Sequence, residues 1–152
     1  MTKHKLPLIV VDAANVVGSR PDGWWRDRAG AARRLLNRLT ALAASAAETA
    51  PTATAETVGL GRGLTGPVEL VVVLEGAARA AADAGVVDGV RVVHASGAGD
   101  DEIVAVVASA AQADPGRAIV VVTADRGLRE RVEAYGATTV GPRWLEHRLD
   151  EG

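Results

Sequence analysis

Five short runs rich in Val and Ile, at about residues 6 to 11, 68 to 74, 90 to 94, 118 to 123 and 137 to 140, recur along the chain without polar alternation. A strand that is apolar at every position is buried on both faces, which occurs almost only in a parallel sheet covered by helices. Helical periodicity fills the intervals, at about 26 to 47, 76 to 85, 100 to 113, 126 to 135 and 142 to 149. This alternation predicts a doubly wound α/β fold, three layers deep, around a central parallel sheet of about five strands. In the first helical stretch Ala32, Leu35, Leu36, Leu39, Leu42 and Ala43 fall on one side, with Arg26, Arg33, Arg34 and Arg38 largely on the other. The leucines should therefore pack on the sheet while the arginines face water or a ligand. Pro142, following Gly141, is a favoured first-turn residue and opens the last helix. A chain of 152 residues, 48% hydrophobic, buries one core, so a single domain over 1–152 is expected. A flexible loop is expected at about 46–66, where small residues, Thr, Gly and Pro replace any sustained period, and Arg62 between two glycines there is a candidate phosphate contact.

Acids stand where the apolar runs end. Asp12 ends LPLIVVD, Glu75 ends VELVVVLE, Asp100 and Asp101 follow VRVVHASGAG, and Asp125 closes AIVVVTAD. Ligands of an open α/β sheet bind at the carboxyl edge of its strands, so these carboxylates should converge on one mouth. Clustered carboxylate oxygens suit a hard divalent cation such as Mg²⁺ or Mn²⁺, which points to metal-assisted phosphodiester chemistry. Each acid also has a plainer reading. Asp12 fits a turn or helix cap, Asp125 an N-cap, and Asp100, Asp101 and Glu75 first-turn acids that favour a helix dipole. Asn15 fits either an Asx turn or a group that orients a metal shell or a phosphate. Independent capping explains any one of these acids, but it explains four successive strand ends poorly, and carboxylates gathered in one cleft signal function.

The rest of the composition narrows the chemistry. With no cysteine, disulfides, thiolate metal sites, thiol nucleophiles and iron–sulfur clusters are excluded. His4, His94 and His147 share no ligand spacing. The N-terminal apolar run is too short for a secretory core and nothing approaches a membrane span, so a cytoplasmic protein with no membrane partner is expected. The formal net charge of −2 conceals a basic stretch, Arg20, Arg26, Arg28, Arg33, Arg34 and Arg38, beside the acidic strand ends. Trp24 and Trp25 sit next to each other in that stretch, where they either stack on unpaired bases or staple the loop to the helix.

Taken together, VVDAANVVGSRPDGWWRDRAGAARRLLNRL, VVVLEG, SGAGDDEIV and VVTADRGLRERVEAYGATTVGP resemble, in order and spacing over nearly the whole chain, the NYN type of the PIN-like superfamily. The resemblance implies a parallel sheet of order 3-2-1-4-5 with a metal-dependent ribonuclease site at its carboxyl edge. Asp12 would supply the first-strand acid, Glu75 the second, Asp100 or Asp101 the third, and Asp125 the fourth. Two departures stand out: Glu75 replaces an Asp common in the family, and Ala13 and Ala14 replace a Gly and an aromatic. The expected activity is hydrolysis of RNA, single-stranded or in a structured loop. Asp12, Asp100, Asp101 and Asp125 are expected to hold Mg²⁺ or Mn²⁺, Asn15 and Glu75 to assist, and Thr123 to support the metal shell. Trp24, Trp25, Arg20, Arg26, Arg28 and Arg126 are the expected RNA contacts. The competing expectations are a small-nucleotide phosphohydrolase or pyrophosphohydrolase using the same acids, and a non-catalytic RNA-binding module. The oligomeric state stays open, a homodimer included.

Overall fold

A computed structural model describes residues 6–19, 23–47 and 67–151 of the chain. Arg20, Arg62 and residues 48–66 of the expected loop lie outside the described residues. The strands are β1 (Leu8–Asp12), β2 (Glu69–Leu74), β3 (Gly85–Val87), β4 (Val90–His94), β5 (Ile119–Val122) and β6 (Thr138–Val140). The helices are α1 (Ala13–Gly18), α2 (Arg28–Ala47), α3 (Gly99–Ala113), α4 (Arg126–Glu133) and α5 (Pro142–Glu151), with 3₁₀ turns at Trp24–Arg26 and Gly76–Ala81. The sheet order is β3-β4-β2-β1-β5-β6, parallel throughout except that β3 runs antiparallel to β4. Leaving β3 aside, the five parallel strands follow the expected order 3-2-1-4-5.

Alternation along the strands divides the core in two. Ile9, Val11, Leu70, Val72, Leu74, Val120 and Val122 point to one face, where they meet Ala32, Leu35, Leu39 and Leu42 of α2, Val16 of α1, and Leu145 and Leu149 of α5. Leu8, Val10, Val71, Val73, Ile119 and Val121 point to the other, against Ile103 and Val107 of α3 and Leu128 and Val132 of α4. Burial on both faces is why these strands carry no polar alternation. The leucine face of α2 lies on the sheet as expected. Arg38, on its opposite side, bonds Glu146 at 2.9 Å and Asp150 at 2.6 Å and so clamps α2 to α5. Among the described residues no helix is long and apolar enough to cross a membrane.

The structure corrects the expected elements in three places. The helix expected over 76 to 85 is a 3₁₀ turn that stops at Ala81, followed by the extra strand β3. Asp88 and Gly89 both take positive φ, 47° and 85°, and join Val87 directly to its partner Val90. Asp-Gly at the centre of a two-residue loop is a strong hairpin signal, and it outweighs the weak helical tendency of the preceding alanines. A short helix, α1, absent from the expected stretches, follows Asp12, which caps it as one of its plainer readings held, and buries Ala13 and Val16. The first long helix begins at Arg28, two residues late, because Trp24–Arg26 form their own 3₁₀ turn after Gly23, whose φ is 77°.

Candidate functional site

Strand β1 is followed in the chain by β2 on one side, whereas its other neighbour, β5, arrives only after the chain has crossed back over. The carboxyl ends of β1 and β5 therefore flank the switch point where an open α/β sheet forms a crevice. Val11 is in register with Val122 and Asp12 with Val73. Asp12 continues the row of Leu8 and Val10, Glu75 the row of Val71 and Val73, and Thr123 the row of Ile119 and Val121, all on the face that carries α3. Strand parity alone thus brings Asp12, Glu75 and Thr123 to one side of the sheet edge.

Asp12 is half-buried and well bonded. Its Oδ1 accepts from the Asn15 amide at 3.3 Å, capping α1, and its Oδ2 accepts from the Thr123 hydroxyl at 2.9 Å. Burial pushes the Asp12 carboxyl above its ordinary value; the hydrogen bonds from Thr123 and Asn15 oppose this, and the charges of Glu75 and Asp100 push it further up. Glu75 and Asp100, from two other elements, are therefore each close enough to act on Asp12. Thr123 is fully buried, and its hydroxyl also accepts from the Asp125 amide at 3.1 Å, linking the ends of β1 and β5. A second link joins the same loops, since Asn15 Oδ1 accepts from the Ala124 amide at 2.8 Å.

The remaining acids separate. Glu75 is anchored by a 2.6 Å bond from the Gly99 amide to its Oε2, at the first residue of α3. A Cβ at position 99 would stand 3.0 Å from the Glu75 Cδ, a tight contact, so Gly99 leaves the room in which the Glu75 carboxylate sits. The sequence reading missed this role, although a glycine set just before the acidic start of a helix was its visible sign. Asp100 shares the first turn of α3 with Asp101, yet the two diverge: Asp101 is exposed and pairs with Arg131 of α4 at 3.0 Å. Asp125 caps α4 through a 3.0 Å bond from the Leu128 amide, its plainer reading, while remaining two residues from Thr123. Among the described residues, no three acids or imidazoles approach as closely as the inner ligands of one metal ion.

Of the expected RNA contacts, Arg26 lies over the Trp25 ring at 5.9 Å and Arg28 over the Trp24 ring at 5.5 Å, and the two indoles meet edge to face with centroids 6.1 Å apart. Trp25 is exposed and Trp24 partly buried. Arg126 is exposed at the first residue of α4.

No family model matches the sequence, and no curated protein matches it. Among solved structures, Rae1 (YacP) from Bacillus subtilis is similar, with a TM-score of 0.61 over 96% of this chain and 76% of its own, at 15% sequence identity. A likeness at that identity establishes a shared fold.

Proposed function

We propose that the protein is a metal-dependent ribonuclease of the NYN type, which hydrolyses RNA phosphodiester bonds at the carboxyl ends of β1, β2 and β5. The observation that carries this reading is Asp12, a half-buried carboxylate at the switch point with two further acids, Glu75 and Asp100, near enough to raise its proton affinity. Such an arrangement works against the fold's own stability, and a bound cation is the simplest feature to offset it. The similarity of fold to Rae1 is compatible with the proposal.

Carboxylate oxygens are the donors that Mg²⁺ and Mn²⁺ prefer, and Asp12, Glu75, Asp100 and Asp125 supply them without sulfur or imidazole competitors. Their spacing favours attachment through one or two carboxylates with water completing the shell, the habit of Mg²⁺. When bound, the cation would acidify an attacking water and neutralise charge on the phosphate. The protein's own groups do the rest. Thr123 and the Asn15 amide fix the rotamer of Asp12. Gly99 holds Glu75 against the start of α3 and thereby ties β2 to the helix that bears Asp100. Asp101, paired with Arg131, is the less suited of the two adjacent acids. Arg26, Arg28 and Arg126 would contact phosphates, which orients a strand without reading its sequence.

The test is incubation of an end-labelled, mixed-sequence single-stranded RNA with Mn²⁺, Mg²⁺ or EDTA, alongside Asp12→Asn. Metal-dependent cleavage by the wild type alone is expected. Equal cleavage by the variant, or none by either protein with any RNA offered, would refute the proposal, and turnover of nucleoside triphosphates instead would shift it to a nucleotide phosphohydrolase.

A further inference from the structure

Beside the candidate acids, at the sheet edge between α1, α2 and the segment that follows β2, lies a cleft of about 450 Å³. Its walls include Ala13, Val17, Ala32 and Ala78, with Trp24 and Arg28 on one flank and Glu75 among its polar groups. Ala13 and Ala32 are each 1% exposed, so the cleft reaches down to core residues whose small side chains leave it unfilled. A slot with apolar walls, a few polar groups and this volume is of the kind that takes small planar ligands.

Trp24 is held in position before any ligand arrives. The edge of its ring lies against Gly18, where a Cβ would come within 3.7 Å of Cζ2; Trp25 meets it edge to face at 88°, and the Arg28 guanidinium stands over it at 5.5 Å. An aromatic ring so restrained loses little freedom on binding, and an indole stacked with a guanidinium beside an apolar slot is how sequence-tolerant proteins seat nucleobases. The charges suit the same occupant. Guanidinium groups at Arg26 and Arg28 match a phosphate, and the Glu75 carboxylate matches the amino or imino hydrogens along a base edge. A base paired within a duplex is covered on both faces by its neighbours and cannot reach a floor at this depth without leaving the stack.

We infer that the cleft between Trp24 and Glu75 binds one unpaired nucleobase of a single-stranded RNA, an assignment that relies on the ribonuclease reading for its choice of polymer. Trp24 and Arg28 form the stacking wall, and the seated base places the adjoining backbone beside Asp12 and Asp100.

The experiment measures binding in EDTA, where no cleavage intervenes, of a fluorescently labelled single-stranded RNA and of an equally long ribose-phosphate strand lacking bases. The wild type should prefer the base-bearing strand by about 5- to 150-fold, the range for stacking a single base. Gly97→Phe adds a ring at the cleft wall from a position whose Cβ would meet nothing within 4 Å, so the new side chain leaves the backbone without a clash. Gly97→Phe and Trp24→Ala should both lower the affinity for the base-bearing strand to about that of the abasic one. Equal affinity of the wild type for the two strands would overturn the inference, as would a preference that survives in Gly97→Phe. Base preference without cleavage would remove the ribonuclease reading and leave the pocket standing; cleavage without base preference would do the reverse.

Discussion

Thr123→Val isolates the link between the two central strand ends while leaving their packing alone. Thr123 is fully buried, and its hydroxyl both donates to Asp12 Oδ2 at 2.9 Å and accepts from the Asp125 amide at 3.1 Å. Valine keeps the shape and removes both bonds. A hydrogen bond to a charged group contributes about 1.5–3 kcal/mol and one between neutral groups about 0.5–1.5 kcal/mol. Asp125 is exposed, so water can replace the bond to its amide and that loss adds little. The expected cost is therefore about 1.5–3 kcal/mol where Asp12 is ionised and about 0.5–1.5 kcal/mol where it is protonated. The direction with pH follows from the same bond. It favours the ionised carboxylate and opposes the upward push of burial, so losing it raises the Asp12 pKa further. The gap between wild type and variant should widen as pH rises through the Asp12 transition. Urea unfolding followed by tryptophan fluorescence, at steps from about pH 3.5 to about pH 8, measures that gap if the urea dependence is unchanged. A gap that stays flat, or narrows toward neutral pH, would refute the reasoning.

Asp12→Asn should gain stability relative to wild type as pH rises. The folded state raises the Asp12 pKa and so binds that proton more readily than the unfolded chain; the contribution is complete below the ordinary aspartate value and is lost as pH rises through the folded pKa. Paired unfolding curves in acid and at neutrality check the sign, and a wild type that pulls ahead on going from acid to neutral pH counts against it. Gly99→Ala should destabilise by about 1–3 kcal/mol despite the better helix propensity of Ala, since the new Cβ would press on the Glu75 carboxylate. A thermal melt unchanged from wild type would show that Glu75 moves aside freely. Under the proposed chemistry, Asp100→Asn should abolish RNA cleavage whereas Asp101→Asn should retain it, because Asp101 is exposed and engaged with Arg131. Loss of activity in both variants would return Asp101 to the site.

The strands, the leucine face of α2 and the placing of acids at the strand ends were legible because each rests on a period in the sequence, whereas the sheet order came from the family resemblance and not from any period. Continuous Val and Ile runs mark strands covered on both faces, and the positions just past those runs fall at the carboxyl edge. Parity carried more than the sequence reading drew from it: Asp12, Glu75 and Thr123 stand two residues beyond Val10, Val73 and Val121, all of which pack in the α3 and α4 core. The β3–β4 hairpin was missed because the alanine-rich segment before it looks helical, while the decisive Asp88-Gly89 pair is only two residues long. The division of labour between Asp100 and Asp101 was beyond reach from sequence. It depends on Arg131, thirty positions away and brought alongside only by the packing of α3 against α4. Gly99 acts through the space it leaves for Glu75, which no propensity scale records.

The central place of β1 also bears on how the molecule assembles. β1, synthesised before the other strands of this sheet, ends beside β5, and Asp12 is bonded to a residue 111 positions further along the chain. Pairings of such high sequence separation form late, after the entropy of closing a long loop has been overcome. During synthesis the Asp12 Oδ2 would thus wait for its Thr123 partner until that residue emerged, so any chain cut short before β5 would lack its crevice. The site can mature only in molecules whose translation has passed that point.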